Sequence, residues 1–173
     1  MTAEKLSVGK AFLLQAKEDL QATETLGHDI SASPSTFCML LQMVFEKLAK
    51  AYRHRQLYHI PAQMRHEIAG AHFDKTIDEI IRKNPQKHKY YKRIMGLIKT
   101  LENAQPAIAK RKSPHEPQLE YPWENPKHEI CYPAKDFPLV QRLLAHTDDI
   151  RTAWEALKFA KAYINELESS IDC

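Results

Sequence analysis

The chain has 173 residues, the size of a single domain, since domains cluster near ~100–150 residues. Hydrophobic residues make up 43% and charged residues 27%, a balance that excludes a disordered chain and a fibrous repeat. The four glycines are too few for a Gly-rich phosphate loop or for the many tight turns of an all-β fold. The net charge is only +3, but it is unevenly distributed along the chain.

The N-terminal segment, the apolar runs and the cysteines predict a cytoplasmic protein without membrane contact. Residues 1–5 lack the basic and apolar regions of a secretory signal, and no run approaches the ~20 apolar residues of a transmembrane helix. Cys38, Cys131 and Cys173 form no Cys-x-x-Cys pair, which argues against a disulfide framework and a zinc knuckle. We expect three reduced thiols, with Cys38 in the core.

Two helices are predicted before residue 57. The first covers about residues 2–26, where leucines recur at helical spacing, and Gly27 follows at a natural C-cap position. The second covers about residues 34–56 and has the strongest apolar stripe in the chain. Ser33 and Pro34 form a good start signal for this helix, which we expect to be the most buried.

Two further helices are predicted for about residues 65–83 and 86–104. Both carry apolar residues at steps of three and four. The Asn84-Pro85 pair separates them, because a residue before proline avoids the helical region.

Residues 105–138 hold seven of the ten prolines, which precludes a long helix. We predict an ordered irregular loop over 105–135, and no strand is predicted anywhere. The loop is expected to be pinned onto the bundle by five apolar side chains: Tyr121, Trp123, Ile130, Tyr132 and Phe137. Packing is its expected role, and a functional role is the alternative.

The last helix is predicted for about residues 136–171. At ~1.5 Å per residue it would exceed a compact domain, so we expect its end to project or to pack on a partner. The predicted fold class is therefore all-α: an up-and-down bundle of four to five helices in one domain spanning 1–173, with the long Pro- and aromatic-rich loop before the last helix.

Four separated segments resemble the HEPN family of small helical-bundle domains. They are Ala16–Leu20 (AKEDL), Gln42–Tyr52 (QMVFEKLAKAY), His66–Ile68 (HEI) and Glu120–Pro122 (EYP). The resemblance spans roughly residues 10–165. Two features depart from the family pattern: Glu120 stands where an arginine is commoner, and the proline-rich loop is elaborated.

The resemblance implies a helical bundle that often forms a homodimer. It also implies association with nucleotides or RNA, frequently beside a nucleotidyltransferase partner in toxin–antitoxin or defence systems. Some members of the family are metal-independent RNases, whose motif is an arginine, four to six intervening residues, and then a histidine.

Three pairs of residues have the spacing of this RNase motif: Arg53 with His59, Arg65 with His72, and Arg82 with His88. About one such match is expected by chance in a chain of this composition. Histidine supplies an acid or base near neutrality, and arginine suits the charge of a strained phosphate.

Arg65–His72 is the leading catalytic candidate, because it lies at the start of a helix after a loop, and Arg53–His59 is the next. The alternative is that His66 caps or packs near that helix start and that His72 is a half-buried polar residue.

Nine histidines raise the question of a metal site. His66 and His72 are six residues apart, which turns their rings about 240° from each other on a helix, and no other pair has the i, i+4 spacing of a zinc helix. We therefore predict no metal site and no cofactor.

The charge is concentrated in one block. Residues 1–81 carry −1, residues 82–112 carry +9, and residues 113–173 carry −5. Clustered cations beside tyrosines suit phosphate backbones and stacked bases. The candidate phosphate-binding residues are Lys83, Lys87, Lys89, Tyr90, Lys92, Arg93, Lys110, Arg111 and Lys112. The alternative is a solvated helix face whose charge offsets the acidic last helix.

Three functions follow as hypotheses. The first is a HEPN-like module that binds RNA or nucleotides through the basic block. The second is a metal-independent RNase toxin, and the third is a non-catalytic protein-interaction module.

Overall fold

The computed structural model describes residues 6–59, 68–113 and 115–171. These residues form an all-α helical bundle, which confirms the predicted fold class. The helices are α1 (Val8–Gly27), α2 (Pro34–Arg53), α3 (Ala69–Lys83), α4 (His88–Asn103), α5 (Pro106–Lys112), α6 (Pro133–Asp136), α7 (Pro138–Ala145) and α8 (Thr147–Ile171). Short 3₁₀ turns cover Ile30–Ala32 and Pro85–Lys87.

The central helix is α2, which contacts α1, α3, α4, α6, α7 and α8. Most of its apolar stripe is buried, since Phe37, Val44 and Leu48 expose no surface, but Tyr52 at the end of the stripe is exposed. The helix begins at Pro34 as expected and ends at Arg53, three residues before the predicted end. Burial of the aromatic and aliphatic side chains of this stripe stabilises the core.

The start of α1 is held against the end of α2 by main-chain contacts. Ser7 caps α1 by accepting a hydrogen bond from the Lys10 amide at 3.1 Å. The Gly9 amide donates to the carbonyl of His54 at 3.1 Å. The part of the predicted first helix before residue 6 lies outside the described residues.

The α3–α4 pair packs across α2. Phe73 and Ile77 of α3 are fully buried, and the Phe73 ring meets the Phe45 ring edge-on, with 5.2 Å between centroids. The described part of α3 begins at Ala69, so the predicted start at residue 65 lies outside the described residues. The break at Asn84-Pro85 is confirmed.

The proline-rich segment contains more regular structure than expected. It includes α5, which begins on Pro106, and a two-stranded antiparallel hairpin of β1 (Trp123–Glu124) and β2 (Ile130–Cys131). The prediction of no strand was therefore wrong. The turn is set by Asn125, whose side-chain oxygen accepts from the amides of Lys127 at 2.8 Å and Glu129 at 3.1 Å.

Two of the five expected apolar anchors are buried in the core. Trp123 and Phe137 belong to the main cluster of buried residues. The other three, Tyr121, Ile130 and Tyr132, are exposed. In the hairpin, Trp123 and Ile130 lie on opposite faces, because neighbouring residues of a strand point to opposite sides and Trp123 pairs with Cys131.

The predicted last helix, about residues 136–171, is divided into α7 and α8, which corrects the expectation of one continuous helix, and the short α6 precedes it. Pro138 lacks an amide to continue α6, and His146 has an extended backbone between α7 and α8. The described end of α8 does not project, because Leu167 is buried and Glu168 forms an ion pair with Lys17 of α1.

Among the described helices, none is both long enough and apolar enough to cross a bilayer. The thiols of Cys38 and Cys131 are free, and Cys173 lies outside the described residues. Burial raises the pKa of Cys38 to about 12, which fits the expected core position.

Candidate nucleic-acid interface

The turn between α3 and α4 gathers exposed cations at one corner of the bundle. Lys83 ends α3, Lys87 ends the following 3₁₀ turn, and Lys89 lies in the first turn of α4. All three side chains are exposed, and within the described residues none of them is recorded in a hydrogen bond or ion pair. We call these three lysines the basic corner.

The cations further along α4 are engaged with acids of the same chain. Lys92 pairs with Asp78 at 2.9 Å, Lys99 pairs with Asp74 at 2.9 Å, and a third ion pair joins Arg93 to the last helix through Glu155 at 3.2 Å. In the middle of α4, the positive charges are therefore offset by acids of the same chain, two from α3 and one from α8.

Hydrogen bonding stabilises the charged forms of the Lys92–Asp78 pair. The ammonium of Lys92 donates to the carboxylate, which lowers the pKa of Asp78 and raises the pKa of Lys92. Both side chains are exposed to solvent, and exposed ion pairs contribute little to the stability of a fold.

Tyr90 is half-buried and packs against its neighbour Tyr91. Its ring meets the Tyr91 ring edge-on at 4.9 Å between centroids, and Tyr91 in turn contacts Phe159 of α8 at 6.2 Å. Burial raises the pKa of Tyr90. Phosphate contacts by lysine are therefore better supported at this surface than base stacking.

The second part of the basic block lies on α5. The ammonium of Lys112 donates to the side-chain oxygen of Asn103 at 2.6 Å, at the end of α4. The side chains of Lys110 and Arg111 lie outside the description.

His72, the histidine of the leading Arg–His pair, is half-buried in the first turn of α3. Its Nε2 lies 2.7 Å from the hydroxyl of Tyr163, and its ring packs on Tyr52 with 4.7 Å between centroids. Burial lowers the pKa of His72 to about 4, so the imidazole is neutral at pH 7. Burial likewise raises the pKa of Tyr163. Arg65 lies outside the described residues.

The structure brings a different arginine towards His72. The guanidinium carbon of Arg55 lies 4.4 Å from the centroid of the Tyr52 ring, and the Tyr52 ring contacts the His72 ring in a tilted arrangement. The order Arg55–Tyr52–His72–Tyr163 defines what we call the tyrosine–histidine cluster. A motif search for short Arg–His spacing missed Arg55 and Tyr163, because 17 and 91 residues separate them from His72 in sequence. The sequence signal for Tyr52 was its place on the α2 stripe.

The other two Arg–His pairs are on the surface. Arg53, His59, Arg82 and His88 are all exposed, and in the described part of the chain neither arginine is recorded in contact with its histidine. Arg82 instead donates to the main-chain oxygen of Asp78 at 3.4 Å.

Three of the four segments that carry the HEPN resemblance meet in space. Asp19, from the first segment, forms an ion pair with Lys47 of α2. Glu46 accepts a hydrogen bond from Gln42 at 3.0 Å and lines a cavity that Glu120 also lines. The third segment, apart from Ile68, lies outside the described residues.

Neither a metal site in the described residues nor a similar known protein indicates the function of this chain. Residues 6–59, 68–113 and 115–171 hold no group of three or more His, Cys, Asp and Glu side chains that could bind a metal. Comparisons with protein-family models, with curated proteins and with solved structures gave no match. Function is therefore inferred from the chain's own residues.

Proposed function

We propose that this chain is a HEPN-like helical module that binds RNA or nucleotides through the basic corner. Part of the proposal is that it acts as a homodimer in a toxin–antitoxin or defence-type system, with a nucleotidyltransferase-type protein as a candidate partner. The observation that carries the proposal is the exposure of Lys83, Lys87 and Lys89 without recorded acidic partners.

The chemistry of the basic corner suits a phosphate backbone. Three ammonium groups within seven residues can contact successive phosphates as point charges. They carry no dedicated base-reading group, so binding is expected to depend strongly on salt and weakly on sequence.

The test is the salt dependence of binding to a fluorescein-labelled single-stranded RNA, followed by anisotropy. Each phosphate contact to a single strand contributes about 0.7 to the slope of log K against log salt. Three contacts give a slope near 2, so affinity should fall about twentyfold between 50 and 200 mM salt. Replacing Lys83, Lys87 and Lys89 by Gln should remove most of that slope.

A matched control changes the same net charge elsewhere. Lys127, Lys135 and Lys158 are exposed and lie outside the basic block, so their triple replacement by Gln should leave the slope nearly unchanged. If both triple variants weaken binding equally, the charge as a whole and not the basic corner is responsible. RNA binding without any salt dependence would falsify the proposal.

A second candidate function is metal-independent RNA cleavage, favoured by the tyrosine–histidine cluster. A neutral His72 can accept a proton, and the protonated hydroxyl of Tyr163 can donate one. A histidine pKa near 4 makes the imidazole a weak base at pH 7, so any cleavage is expected to be slow.

This candidate is tested by incubating RNA with the protein in the presence of EDTA. Cleavage that is lost in His72→Ala and in Arg55→Ala supports the cluster as the site, and Arg65→Ala tests the pair predicted from sequence. Cleavage that both cluster variants retain removes His72 and Arg55 from any catalytic role.

A further inference from the structure

A second polar site lies away from the basic corner, in a cavity of about 340 Å³ beside α1, α2 and the start of α5. Its apolar lining consists of Phe12, Met43 and Pro106. Its polar lining includes four buried residues: Gln42, Glu46, Lys50 and Gln105. An apolar pocket with a few convergent polar groups is the usual form of a small-molecule site.

The buried carboxylate of Glu46 is already satisfied. One oxygen accepts from the ammonium of Lys50, and the other accepts from the side-chain amides of Gln42 and Gln105. A carboxylate held by at least three donors has little capacity left for a ligand. Glu46 therefore fixes its neighbours in place and does not itself present a free acceptor.

Lys50 retains donor capacity towards the cavity. An ammonium has three N–H donors, and within the described residues Lys50 is recorded in one hydrogen bond from that group, to Glu46. A ligand oxygen, above all a carboxylate, would accept from the remaining N–H groups.

Glu120 supplies the opposite charge at the same cavity. Its side chain is exposed, and no hydrogen bond or ion pair is recorded for it among the described residues. Gln105 adds a buried side-chain oxygen without a donor. Both groups suit a ligand that carries N–H donors, and Glu120 suits a cationic one.

The overall charge of the lining restricts the ligand class. The lining contains two lysines, Lys47 and Lys50, and two glutamates, Glu46 and Glu120, and Lys47 is also paired with Asp19 outside the lining. A site without an excess of positive charge disfavours a polyphosphate and accepts a ligand that carries one charge of each sign.

We propose that this cavity binds a small zwitterion with an apolar body. Lys50 receives the carboxylate, Glu120 receives the ammonium, and the apolar body packs on Phe12, Met43 and Pro106. Free amino acids with apolar side chains and ω-amino acids both have this chemistry, and they differ in the distance between the two charged groups. The site is independent of RNA binding at the basic corner.

The experiment follows methyl signals of the methionines during titration of the full chain. Met43 lines the cavity, and Met95 is buried outside it, so a ligand should shift the Met43 methyl and leave the Met95 methyl in place. Met43→Leu assigns the signal. L-Leucine and 6-aminohexanoate are the two probes, and the one that saturates the shift defines the charge spacing.

Derivatives that lack one charge test each end of the ligand. N-acetyl-L-leucine lacks the ammonium and L-leucine methyl ester lacks the carboxylate, and each should bind at least about tenfold more weakly than L-leucine, because it cannot form one of the two charge-assisted hydrogen bonds. For 6-aminohexanoate, 6-acetamidohexanoate and hexylamine serve the same purpose.

Glu120→Gln should weaken the saturating zwitterion about tenfold as well, whereas Glu116→Gln, an exposed neighbour outside the cavity, should not. The proposal is overturned if neither zwitterion shifts Met43, if derivatives bind as well as their parents, or if inorganic pyrophosphate saturates the site instead.

Discussion

Replacing glycine by alanine at two helical positions should have opposite effects on stability. A Cβ atom on Gly9 would lie 2.4 Å from the Arg55 Cα and 2.7 Å from the main-chain oxygen of Ala51. These are main-chain atoms that no side-chain rotation can move away. A Cβ atom on Gly96, in the middle of α4, would meet nothing within 4 Å.

The magnitudes follow from these contacts. Gly9→Ala must separate α1 from the end of α2, at a cost of about 1–3 kcal/mol for overpacking. It also strains the hydrogen bond from the Gly9 amide to the His54 carbonyl, which adds about 1 kcal/mol. We therefore expect a loss of about 2–4 kcal/mol. Gly96→Ala should gain about 0.5–1 kcal/mol, because alanine loses less backbone entropy in a helix.

Urea denaturation followed by circular dichroism measures both changes in the free energy of unfolding, and unchanged slopes would show that two-state behaviour is kept. If Gly9→Ala is as stable as the parent chain, the close approach of α1 and α2 is wrong. If Gly96→Ala is destabilising, that face of α4 is covered.

Three further predictions concern buried polar groups and a thiol. Because burial holds the pKa of His72 near 4 instead of 6.5, the unfolded chain binds the proton more tightly than the folded chain. The free energy of unfolding should therefore fall by up to about 3 kcal/mol as the pH drops from 6.5 to 4. In urea denaturation, His72→Gln should remove this part of the pH dependence. Lys47→Met leaves the buried carboxylate of Asp19 without its cation and should lower the free energy of unfolding by about 3 kcal/mol. The double variant Lys47→Met/Asp19→Leu should recover much of this loss. Equal stability of the single and double variants would contradict this expectation. In peptide mapping after iodoacetamide treatment, Cys38 should be labelled only on unfolding, since it is buried with a pKa raised to about 12; labelling of Cys38 in the folded chain as fast as the half-buried Cys131 would refute its core position.

The sequence determined the features that depend on neighbouring residues. The apolar stripe of α2 and its start at Ser33-Pro34 were readable because helical spacing and capping are local properties. The stop at Asn84-Pro85 was readable for the same reason. The concentration of charge in residues 82–112 was visible directly from the order of residues.

Tertiary structure alone decided which of those charges are open. Whether a lysine on α4 faces solvent or an acid depends on how α3 and α8 pack against it, and sequence spacing carries no information on that packing. Lys92 thus forms an ion pair with Asp78, whereas Lys89, three residues earlier, is exposed and has no recorded ion pair among the described residues. The same applies to Arg55, Tyr52, His72 and Tyr163, which three helices and a turn bring together from distant parts of the chain. The basic block behind the net charge of +3 therefore contains two groups of cations that only the packing distinguishes: Lys92, Arg93 and Lys99 are paired with acids of the same chain, whereas Lys83, Lys87 and Lys89 are exposed at one corner.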